Sequence, residues 1–178
     1  MIRFFDVVFS GLALIIFSPI IITTSAVLLV TGEGEVFYRQ SRVGINEKPF
    51  DILKFATMLK NSEKMGTGTI TIKNDPRVLP VGSFLRKTKI NELPQLFNVL
   101  VGDMSLIGPR PQDKRCFAAF KKEHQDVIVK CVPGLSGLGS IFFRNEENLL
   151  DGSEDPDYFY DEVIMPYKGE LEVWYISN

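Results

Sequence analysis

The sequence contains little of the chemistry on which many enzyme active sites are built. Its 178 residues include one histidine, His124, and two cysteines, Cys116 and Cys131. A histidine-based zinc site or a Ser-His-Asp triad therefore has almost no residues to draw on. Two cysteines make no disulfide framework and fit a reducing compartment, where we expect them to be buried as small hydrophobic residues. We expect His124, in the segment KKEHQD, to be a solvated helix residue.

Glycine-rich nucleotide-binding signatures are also missing. The chain has no G-x-G-x-x-G segment, and the Gly-Thr repeat of NSEKMGTGTITIKND lacks the Lys-Ser/Thr ending that opens a helix in a P-loop. The Gly, Thr and Asn content of this segment predicts a loop over residues 61–75 instead. A length of 178 residues suits one domain with a real core.

Charge is unevenly spread, although the formal net charge is only -2. Residues 36–89 hold eleven Lys and Arg against four Asp and Glu, whereas residues 145–178 hold ten acidic residues against one lysine. A basic middle beside an apolar segment favours anionic headgroups or phosphates as partners. Mutual neutralisation of the two halves is the simpler explanation, and composition alone leaves both open.

One long apolar run lies near the N-terminus, VVFSGLALIIFSPIIITTSAVLLV from Val7 to Val30. Its 24 residues carry no charge, and a helix of roughly 20 residues is enough to cross a bilayer core. The run is apolar around its whole circumference, unlike a buried globular helix, and it is too long for a cleaved signal peptide. It is therefore predicted to be a membrane element.

Whether this run spans the bilayer depends on Ser18-Pro19 at its middle. An interior proline removes a backbone hydrogen bond and clashes with the previous turn. A neighbouring serine can satisfy the freed carbonyl, so a kinked spanning helix is tolerable in lipid, whereas a sharper break returns the chain to the same face. The flanking charges do not separate the two paths, and the sequence pattern leaves both open.

Strands and turns are predicted in the rest of the chain. GEVFYRQSRVG and KPFDILKFATM alternate apolar and polar residues, which predicts a hairpin with GINEK as its turn. GDMSLIGPRP is predicted to be a rigid turn that presents Arg110. VPGLSGLGS is predicted to be a loop of small residues whose backbone amides can meet an anion.

Short helices are predicted in the middle of the chain and in its tail. VGSFLRKTK is typical of an amphipathic helix over Ser83–Lys89 that is basic on one side. The next helix is predicted to begin with Asn91 as its N-cap and Pro94 in its first turn. Its apolar face, suited to a core or to a membrane interface, contains Leu93, Leu96, Phe97 and Leu100. The acidic tail is predicted to be helical around Tyr158 to Tyr167.

Four charged residues fall at predicted turns: Lys54, Arg86, Glu92 and Arg110. Three are cations, and the planar fork of arginine matches phosphate oxygens. The pair Asn91-Glu92 is expected at a helix N-terminus, where exposed N–H groups favour anions. A carboxylate among cations can bind Mg²⁺, which in turn clamps a diphosphate. The alternative is that these are surface charges and an ordinary helix cap.

Four motifs, in order along the chain, resemble the bacterial sugar transferase family, the monotopic polyprenyl-phosphate phosphoglycosyl transferases. They are RFFDVVFSGLALIIFSPIII, FYRQSRVGINEKPFDILKFATM, LRKTKINELPQLFNVLVGDMSLIGPRP and PGLSGLG. The resemblance runs from the N-terminal apolar segment through Ser136. Four motifs in the family's order over most of the chain are a highly specific signal.

This resemblance implies a fold, a reaction and a location. The expected fold is α/β, a small membrane-associated domain with an N-terminal re-entrant helix broken at Ser18-Pro19 and with amphipathic surface helices. Residues 1–35 are expected to form the membrane segment, and residues 36–178 the transferase domain on the cytoplasmic face of a bacterial inner membrane. The implied reaction moves a sugar 1-phosphate from a UDP-sugar to undecaprenyl phosphate with Mg²⁺, after a carboxylate attacks the β-phosphate. Membrane phospholipids are a further expected partner, nucleic acid is not, and a homo-oligomer is allowed.

The resemblance also assigns roles to residues. Lys54, Arg86 and Arg110 match phosphate-handling positions, and Glu92 matches the second acid of an Asp-Glu dyad, which is associated with Mg²⁺. Asn91 stands where the family has its nucleophilic acid, so Asn91 and Glu92 are the catalytic candidates. A carboxamide is a far weaker nucleophile and brings no charge to a metal. Three accounts stay open: an introduced substitution, a variant in which Glu92 or the lipid phosphate attacks, or a chain that binds without turnover.

A second departure concerns a further acid that the family commonly has near its site, in a C-terminal helix. No position here matches it securely. Either the chain is truncated or a tail acid such as Asp157 or Asp161 takes its place. Selectivity for the sugar is expected to reside in loops such as Gly66–Asp75 and in the tail after Ser136.

Overall fold

The computed structural model of the chain describes residues 1–65, 71, 75–150 and 153–178. These residues form two compact units. The first consists of Met1–Gln40 and Ile52–Leu100, and the second of Ser41–Asp51 and Val101–Asn178. Helices and short strands are mixed along the chain behind one long N-terminal helix. The expected mixed class, with a long apolar helix first, is confirmed at that level.

Helix α1 occupies residues Ile2–Val30 with Pro19 inside it. At about 1.5 Å per residue it is roughly 43 Å long, and by length and composition it is able to cross a membrane. The hydroxyl of Ser18 donates to the carbonyl of Ile15 at 2.8 Å, as expected where a proline leaves a carbonyl unbonded. The predicted helix is confirmed and begins before Val7. It is continuous through Ser18-Pro19, so the expected break there is not shown, and the re-entrant path stays a prediction.

Both ends of α1 contact other residues of the first unit. Near its start, the guanidinium of Arg3 donates to the carbonyls of Val99 at 2.5 Å and Leu100 at 2.6 Å. These carbonyls close a helix C-terminus, where a cation is favourable. Near its end, Leu28 is buried against Phe55 and Leu85. The helix is therefore anchored to the first unit at both ends.

A β-hairpin follows α1. Strand β1 covers Phe37–Val43 and strand β2 covers Pro49–Phe55, and the two pair with each other. A connection this short permits only an antiparallel hairpin, and it contains a 3₁₀ turn over Ile45–Glu47. The predicted hairpin and its turn are confirmed.

The first unit continues with short helical elements. After the hairpin comes a 3₁₀ turn over Ser62–Lys64, and the other predicted loop residues, 66–70 and 72–74, lie outside the described part of the chain. Helix α2 covers Pro80–Lys87, which confirms the predicted basic helix with an earlier start. A 3₁₀ turn over Ile90–Glu92 and helix α3, Gln95–Val101, complete this region.

The second unit contains two very short strands, β3 over Ser105–Ile107 and β4 over Gly134–Ser136. They pair in parallel, with Ser105 opposite Gly134 and Ile107 opposite Ser136. The prediction of a turn and a loop for these two segments was therefore wrong in part. Parallel pairing joins residues far apart in the chain, so three-residue strands flanked by glycine and proline leave no local alternation to detect.

Helices account for most of the second unit. They are α4 (Lys114–Ala118), α5 (Lys122–Ile128), α6 (Leu138–Phe142), α7 (Glu146–Leu150), α8 (Pro156–Phe159) and, after a π-helical turn over Tyr160–Ile164, α9 (Met165–Ser177). Helix α9 packs against α5 and α6. The predicted tail helix is confirmed and extends to Ser177.

The solvated position predicted for His124 was wrong. Its side chain lies on α5 but is only 7% exposed, and it packs against α9 at Gly169, where a methyl group would lie 2.3 Å from the imidazole Nδ1. The polar residues around His124 gave no sign of this contact, because the packing of α9 alone decides which face of α5 is buried. Neither cysteine forms a disulfide; Cys116 is buried as expected, whereas Cys131 is only half-buried.

Replacing Gly134 by alanine is expected to destabilise the second unit. The added Cβ would lie 2.1 Å from the backbone N and 2.4 Å from the carbonyl O of Gly108. Because both are backbone atoms, the parallel strands must separate, at a cost of about 1–3 kcal/mol. The measurement is the thermal unfolding midpoint in detergent, which falls by roughly 2–4 °C per kcal/mol in chains of this size.

Gly11→Ala is the matched control for this prediction. A Cβ on Gly11 meets only the Cδ1 of Leu100, at 4.0 Å, and alanine is favourable in a helix. Its midpoint should not fall. An unchanged midpoint in Gly134→Ala would contradict the close backbone approach between β3 and β4.

Candidate functional site

Arg86 and the Asn91-Glu92 pair lie on neighbouring elements of the first unit. Arg86 is in the last turn of α2, half-buried, and its guanidinium Nη1 lies 3.9 Å from the sulfur of Met58. Helix α2 packs against the 3₁₀ turn that contains Asn91 and Glu92. Lys89 joins the two elements in a left-handed conformation, with φ of 61°, which turns the chain back sharply. The structure therefore places these three predicted residues on two elements that pack against each other.

Asn91 was wrongly predicted to be an N-cap. It lies inside the 3₁₀ turn, where Lys89 holds the preceding cap position. Its side chain is 6% exposed, and its amide oxygen Oδ1 is buried without a hydrogen-bond partner. Glu92, one residue on, is half-buried. A buried oxygen without a donor is costly in a protein interior unless a ligand supplies the missing interaction.

The face that α3 buries also differs from the prediction. Leu96 is buried as expected, but Phe97 is 45% exposed, and the buried positions include polar Gln95 and Asn98. Asn98 explains part of this, because its Oδ1 accepts the backbone N–H of Leu53 at 2.9 Å. The side-chain amide of Asn98 is buried because it satisfies the free backbone N–H of Leu53, where an apolar side chain would offer no acceptor. The exposed phenyl ring is left at the surface.

Lys54 is positioned through the same contact. It lies on β2, next to Leu53, and is half-buried. The bond from Leu53 to Asn98 ties β2 to α3, the helix that follows Glu92. Four of the five predicted site residues are therefore carried by elements of the first unit that pack on one another.

A buried ion pair in the first unit was missed by the sequence analysis. Arg77 and Asp75 are 4% and 6% exposed, and the guanidinium contacts the carboxylate through Nε at 2.9 Å and Nη2 at 2.5 Å. Nη1 also donates to the carbonyls of Ser62 and Met65. The pKa of Arg77 is raised by its hydrogen bonds to Asp75. This pair ties Asp75 and Arg77 to the backbone of Ser62 and Met65. In the sequence, only the spacing in DPR indicated it.

Arg110 belongs to the second unit, where it follows β3 in the sequence GPRP. It is half-buried, and its Nη1 approaches the carbonyl of Leu135 at 3.5 Å. It lines a small, mainly apolar cavity with Pro109, Pro111, Phe117 and Val129, among others. Ligands of open sheets containing parallel strands bind beyond the carboxyl ends of those strands. Arg110 follows the carboxyl end of β3, and its role in binding phosphate stays a prediction.

Arg42 is a second cation near Arg110 that the sequence analysis did not single out. Its guanidinium lies 3.4 Å from the carboxylate of Asp113, which also caps α4 by accepting the N–H of Cys116 at 2.8 Å. Burial lowers the pKa of Arg42, while Asp113 opposes that effect and Arg110 adds to it. The pair is therefore arranged so that Asp113 offsets the repulsion between two neighbouring arginines.

Neither cysteine is favoured as a nucleophile. Burial, together with the nearby carboxylate of Asp113, raises the pKa of the Cys116 thiol to about 11. Burial also raises the pKa of Cys131. Because the thiolate is the reactive form, a raised pKa lowers the reactivity of both thiols.

Glu172 is a buried acid of the tail that the sequence analysis did not single out. It lies on α9, is 4% exposed, and its Oε1 accepts the backbone N–H of Gly139 at 3.0 Å. Burial raises its pKa to about 7. The acids named instead, Asp157 and Asp161, pair with Arg115 at 3.3 and 3.0 Å near the surface. A single acid within the apolar stretch LEVWY was the available signal.

The stability of the second unit is expected to depend on pH through Glu172. Its pKa rises from 4.5 when unfolded to about 7 when folded, so the folded state favours the neutral acid. Stability is full below pH 4.5 and falls as pH rises through 7, by at most about 3 kcal/mol. Lys168 opposes the shift, while Cys131 and Tyr175 also sense this carboxylate. Unfolding midpoints between pH 5.5 and 8.5 measure the fall.

Glu172→Gln is the control for this pH dependence. It removes the titration and keeps the size of the side chain and one acceptor oxygen. Its midpoint should change less with pH than that of the unmodified chain. Parallel curves for the two proteins would show that Glu172 does not titrate in this range.

The sequence profile of the family described as "Bacterial sugar transferase" matches residues 1–178. The chain belongs to the bacterial sugar transferase family. A UDP-glucose:undecaprenyl-phosphate glucose-1-phosphate transferase of Klebsiella pneumoniae is 39% identical over 157 residues, covering 85% of this chain and 33% of the relative. The recognition made from sequence motifs is therefore confirmed.

Other relatives carry related names. A UDP-N-acetylgalactosamine-undecaprenyl-phosphate N-acetylgalactosaminephosphotransferase of Aeromonas hydrophila is 38% identical over 141 residues, covering 78% of this chain and 33% of the relative. The exopolysaccharide production protein ExoY of Rhizobium meliloti is 35% identical over 158 residues, covering 81% and 70%. The present chain thus spans about a third of the length of the Klebsiella pneumoniae and Aeromonas hydrophila relatives.

Oxygen donors for a metal ion are few among the described residues. No group of three or more His, Cys, Asp or Glu side chains there has the arrangement of a protein-only metal site. The half-buried carboxylate of Glu92 and the unsatisfied amide oxygen of Asn91 are the hard donors at hand. Mg²⁺ commonly takes one or two carboxylates and completes its shell with phosphate oxygens and water. These residues therefore fit a Mg²⁺ ion that arrives with a diphosphate.

Proposed function

We propose that this sugar transferase moves a sugar 1-phosphate from a UDP-sugar to undecaprenyl phosphate and so initiates the assembly of a cell-surface glycan. The observation that carries the proposal is the family match over residues 1–178. Relatives whose names give a UDP-sugar and undecaprenyl phosphate as substrates support it. The grouping of Arg86, Asn91 and Glu92 on packed elements agrees with a diphosphate site.

The chain's own residues supply charge and position in this reaction. Lys54, Arg86 and Arg110 bind diphosphate oxygens and offset the charge that develops on the leaving group. With a carboxamide at position 91, an oxygen of undecaprenyl phosphate attacks the β-phosphorus directly. A new P–O bond forms, the bond from the β-phosphorus to the bridging oxygen breaks, and UMP leaves with that electron pair. Alignment of the two substrates is the main source of acceleration.

Mg²⁺ is part of the proposal. Glu92 would hold the ion, and the unpartnered amide oxygen of Asn91 is the neighbouring residue's donor that could join it. When bound, the ion neutralises the diphosphate and stabilises the departing UMP. Removal of the ion with EDTA should weaken the binding of UDP to the chain and stop UMP release together. Binding that persists in EDTA would separate Glu92 from a metal role.

The membrane arrangement is proposed to be one-sided, with α1 re-entrant on the cytoplasmic face of a bacterial inner membrane. What supports it is that Arg3 and Leu28, near opposite ends of α1, both contact the first unit. A helix held at both ends by one folded body does not place that body on both sides of a bilayer. The many exposed apolar side chains of α1, such as Phe9, Ile15 and Ile16, suit contact with phospholipid tails.

The topology can be tested by labelling single cysteines. Cys116 and Cys131 are replaced by alanine, and a cysteine is introduced at Ile2 or at Thr31. In intact cells neither position should react with a membrane-impermeant maleimide, and both should react after lysis. Reaction of one position alone in intact cells would mean that α1 spans the membrane.

The function itself is tested by product analysis. The purified chain is incubated with undecaprenyl phosphate and with radiolabelled UDP-glucose or UDP-N-acetylgalactosamine, the sugars in the relatives' names. Label should pass to lipid in proportion to the UMP released. Bound UDP-sugar without UMP release would instead support a membrane-bound substrate-binding scaffold. This role is tested because Asn91 replaces the nucleophilic acid expected at that position.

A further inference from the structure

Three amide side chains are buried along the helical stretch that begins at Asn91. Asn91, Gln95 and Asn98 are four and three residues apart, the spacing of neighbours on one helix face, and backbone hydrogen bonds between residues three apart join the 3₁₀ turn to α3. All three are buried, and Gln95 is only 1% exposed. The Oδ1 of Asn98 accepts the backbone N–H of Leu53 at 2.9 Å, so this face is directed toward β2. Gln95 therefore lies between Asn91 and the contact that positions Lys54.

The packing of the chain does not explain an amide at position 95. The side-chain nitrogen Nε2 of Gln95 is buried and finds no hydrogen-bond partner among the described residues. Its neighbours Leu96 and Val99 are buried apolar residues, which shows that α3 packs apolar side chains at such positions. An N–H buried without an acceptor destabilises a folded protein. Folding alone would therefore favour an apolar residue here.

The unmet groups of Asn91 and Gln95 are of opposite kind. Asn91 presents an acceptor, Oδ1, and Gln95 presents a donor, Nε2, and neither atom has a partner in the part of the chain that the structure describes. The two side chains are therefore not bonded to each other through these atoms. Mg²⁺ bound to a phosphate supplies both missing partners, because the cation takes an oxygen ligand and the phosphate oxygens accept N–H groups.

We propose that Gln95 is a phosphate-binding residue whose side-chain N–H donates to a phosphate oxygen in the site that contains Asn91 and Glu92. The proposal rests on the proposed function, which brings phosphate to this site. The oxygen comes from the diphosphate of the UDP-sugar or from the phosphate of the lipid acceptor, since both offer the same chemistry. A glutamine side chain has several rotatable bonds, so a change of rotamer directs Nε2 at the ligand.

Replacing Gln95 by methionine tests the proposal, because methionine is flexible and of similar length but has no N–H donor. The binding of UDP, measured by calorimetry with Mg²⁺ in detergent, should weaken about tenfold, the effect of losing a hydrogen bond to a charged group. The unfolding midpoint of the ligand-free protein should rise by about 2–4 °C, because the unpaired amide is removed. An amide with only a structural role would lower the midpoint instead.

Two binding measurements distinguish the sources of the phosphate. UDP is titrated without lipid, and radiolabelled undecaprenyl phosphate is titrated without UDP in the same detergent. Weaker binding of UDP alone in Gln95→Met assigns the hydrogen bond to the donor diphosphate. Weaker binding of undecaprenyl phosphate alone assigns it to the acceptor. Either result, or weaker binding of both ligands, supports the proposal.

Gln125→Met is the matched control, because it makes the same replacement at a glutamine whose amide is satisfied. The Nε2 of Gln125 donates to the carbonyl of Phe120 at 2.8 Å, in the second unit. The control should therefore have a lower unfolding midpoint than the unmodified chain and the same affinity for both phosphate ligands. It shows what loss of a structural amide looks like.

A second apolar variant, Gln95→Leu, keeps the test decisive if methionine fits poorly at this position. A lower midpoint or a failure to fold in both variants would overturn the proposal, because the amide would then be structural. Unchanged affinity for both UDP and undecaprenyl phosphate in a folded variant would overturn it as well. If the unmodified chain binds neither ligand, the proposed function fails too. If it binds UDP and releases UMP while the variants bind normally, only the role of Gln95 fails.

Discussion

Replacing Asn91 by aspartate is expected to raise the rate of UMP release from a UDP-sugar by about a hundredfold or more, because a carboxylate nucleophile opens a covalent route. The side chain is buried in the turn before α3, beside Glu92 and against α2, which carries Arg86. Aspartate has the same shape as asparagine, so the site should accept it without rearrangement. UMP is measured by chromatography with and without undecaprenyl phosphate.

Covalent chemistry gives this prediction a second readout. The Asp variant should release one equivalent of UMP without the lipid acceptor, and its intact mass should increase by one phosphosugar. The unmodified chain should show neither result. A phosphosugar on the unmodified chain would place the nucleophile elsewhere, with Glu92 the first residue to examine. An unchanged rate in the variant would contradict a nucleophilic role for position 91.

The same substitution should make stability depend on Mg²⁺. Because Oδ1 of Asn91 is buried without a hydrogen-bond partner, a carboxylate there lacks compensation and should cost about 1–3 kcal/mol in EDTA. Mg²⁺ and UDP together should restore the midpoint. Asn46→Asp is the matched control, since Asn46 is exposed in the hairpin turn and aspartate tolerates its left-handed conformation. Its midpoint should not respond to Mg²⁺.

Replacing Glu92 by glutamine is expected to reduce UMP release and lipid-linked product by about a hundredfold, the scale on which removing a charge-stabilising group acts. Glutamine keeps the size of the side chain but lowers its affinity for a divalent cation, because the negative charge is lost. The concentration of Mg²⁺ that gives half of the maximal rate should rise as well. Transfer is followed with radiolabelled sugar over a range of Mg²⁺ concentrations, in the Asn91→Asp protein for sensitivity.

Glu162→Gln provides the comparison for Glu92→Gln. Glu162 is exposed in the π-helical turn of the second unit, so its loss should leave the rate and its Mg²⁺ dependence unchanged. Transfer that persists undiminished in Glu92→Gln would remove Glu92 from both the catalytic and the metal role. A lower rate with an unchanged Mg²⁺ dependence would remove only the metal role.

Elements with a strong local signal were predicted well. The elements concerned are α1, the β1–β2 hairpin, α2 and the tail helix. In each, many consecutive residues share one hydrophobic period or one kind of composition. Such signals survive folding because they depend on neighbours in sequence. Lys54, Arg86 and Glu92 were selected from the same kind of pattern, and the structure places them on packed elements of the first unit.

The errors occurred where distant residues decide the structure. Strands β3 and β4 exist because each pairs with the other across the chain, and His124 is buried because α9 covers it. Asn91 looks like a helix cap, but the left-handed conformation of Lys89 starts the turn earlier. In each case a tertiary contact overrides a local preference.

Composition and short-range pattern were sufficient for the apolar helix, the hairpin, the basic cluster and the family to which the chain belongs, since these depend on residue types and their spacing. Folding in three dimensions was required to bury the amide oxygen of Asn91 without a donor and to bury Glu172 of α9 against the backbone of Gly139. Burial and backbone hydrogen bonds between distant segments are properties of the packed chain, and no stretch of sequence carries them alone.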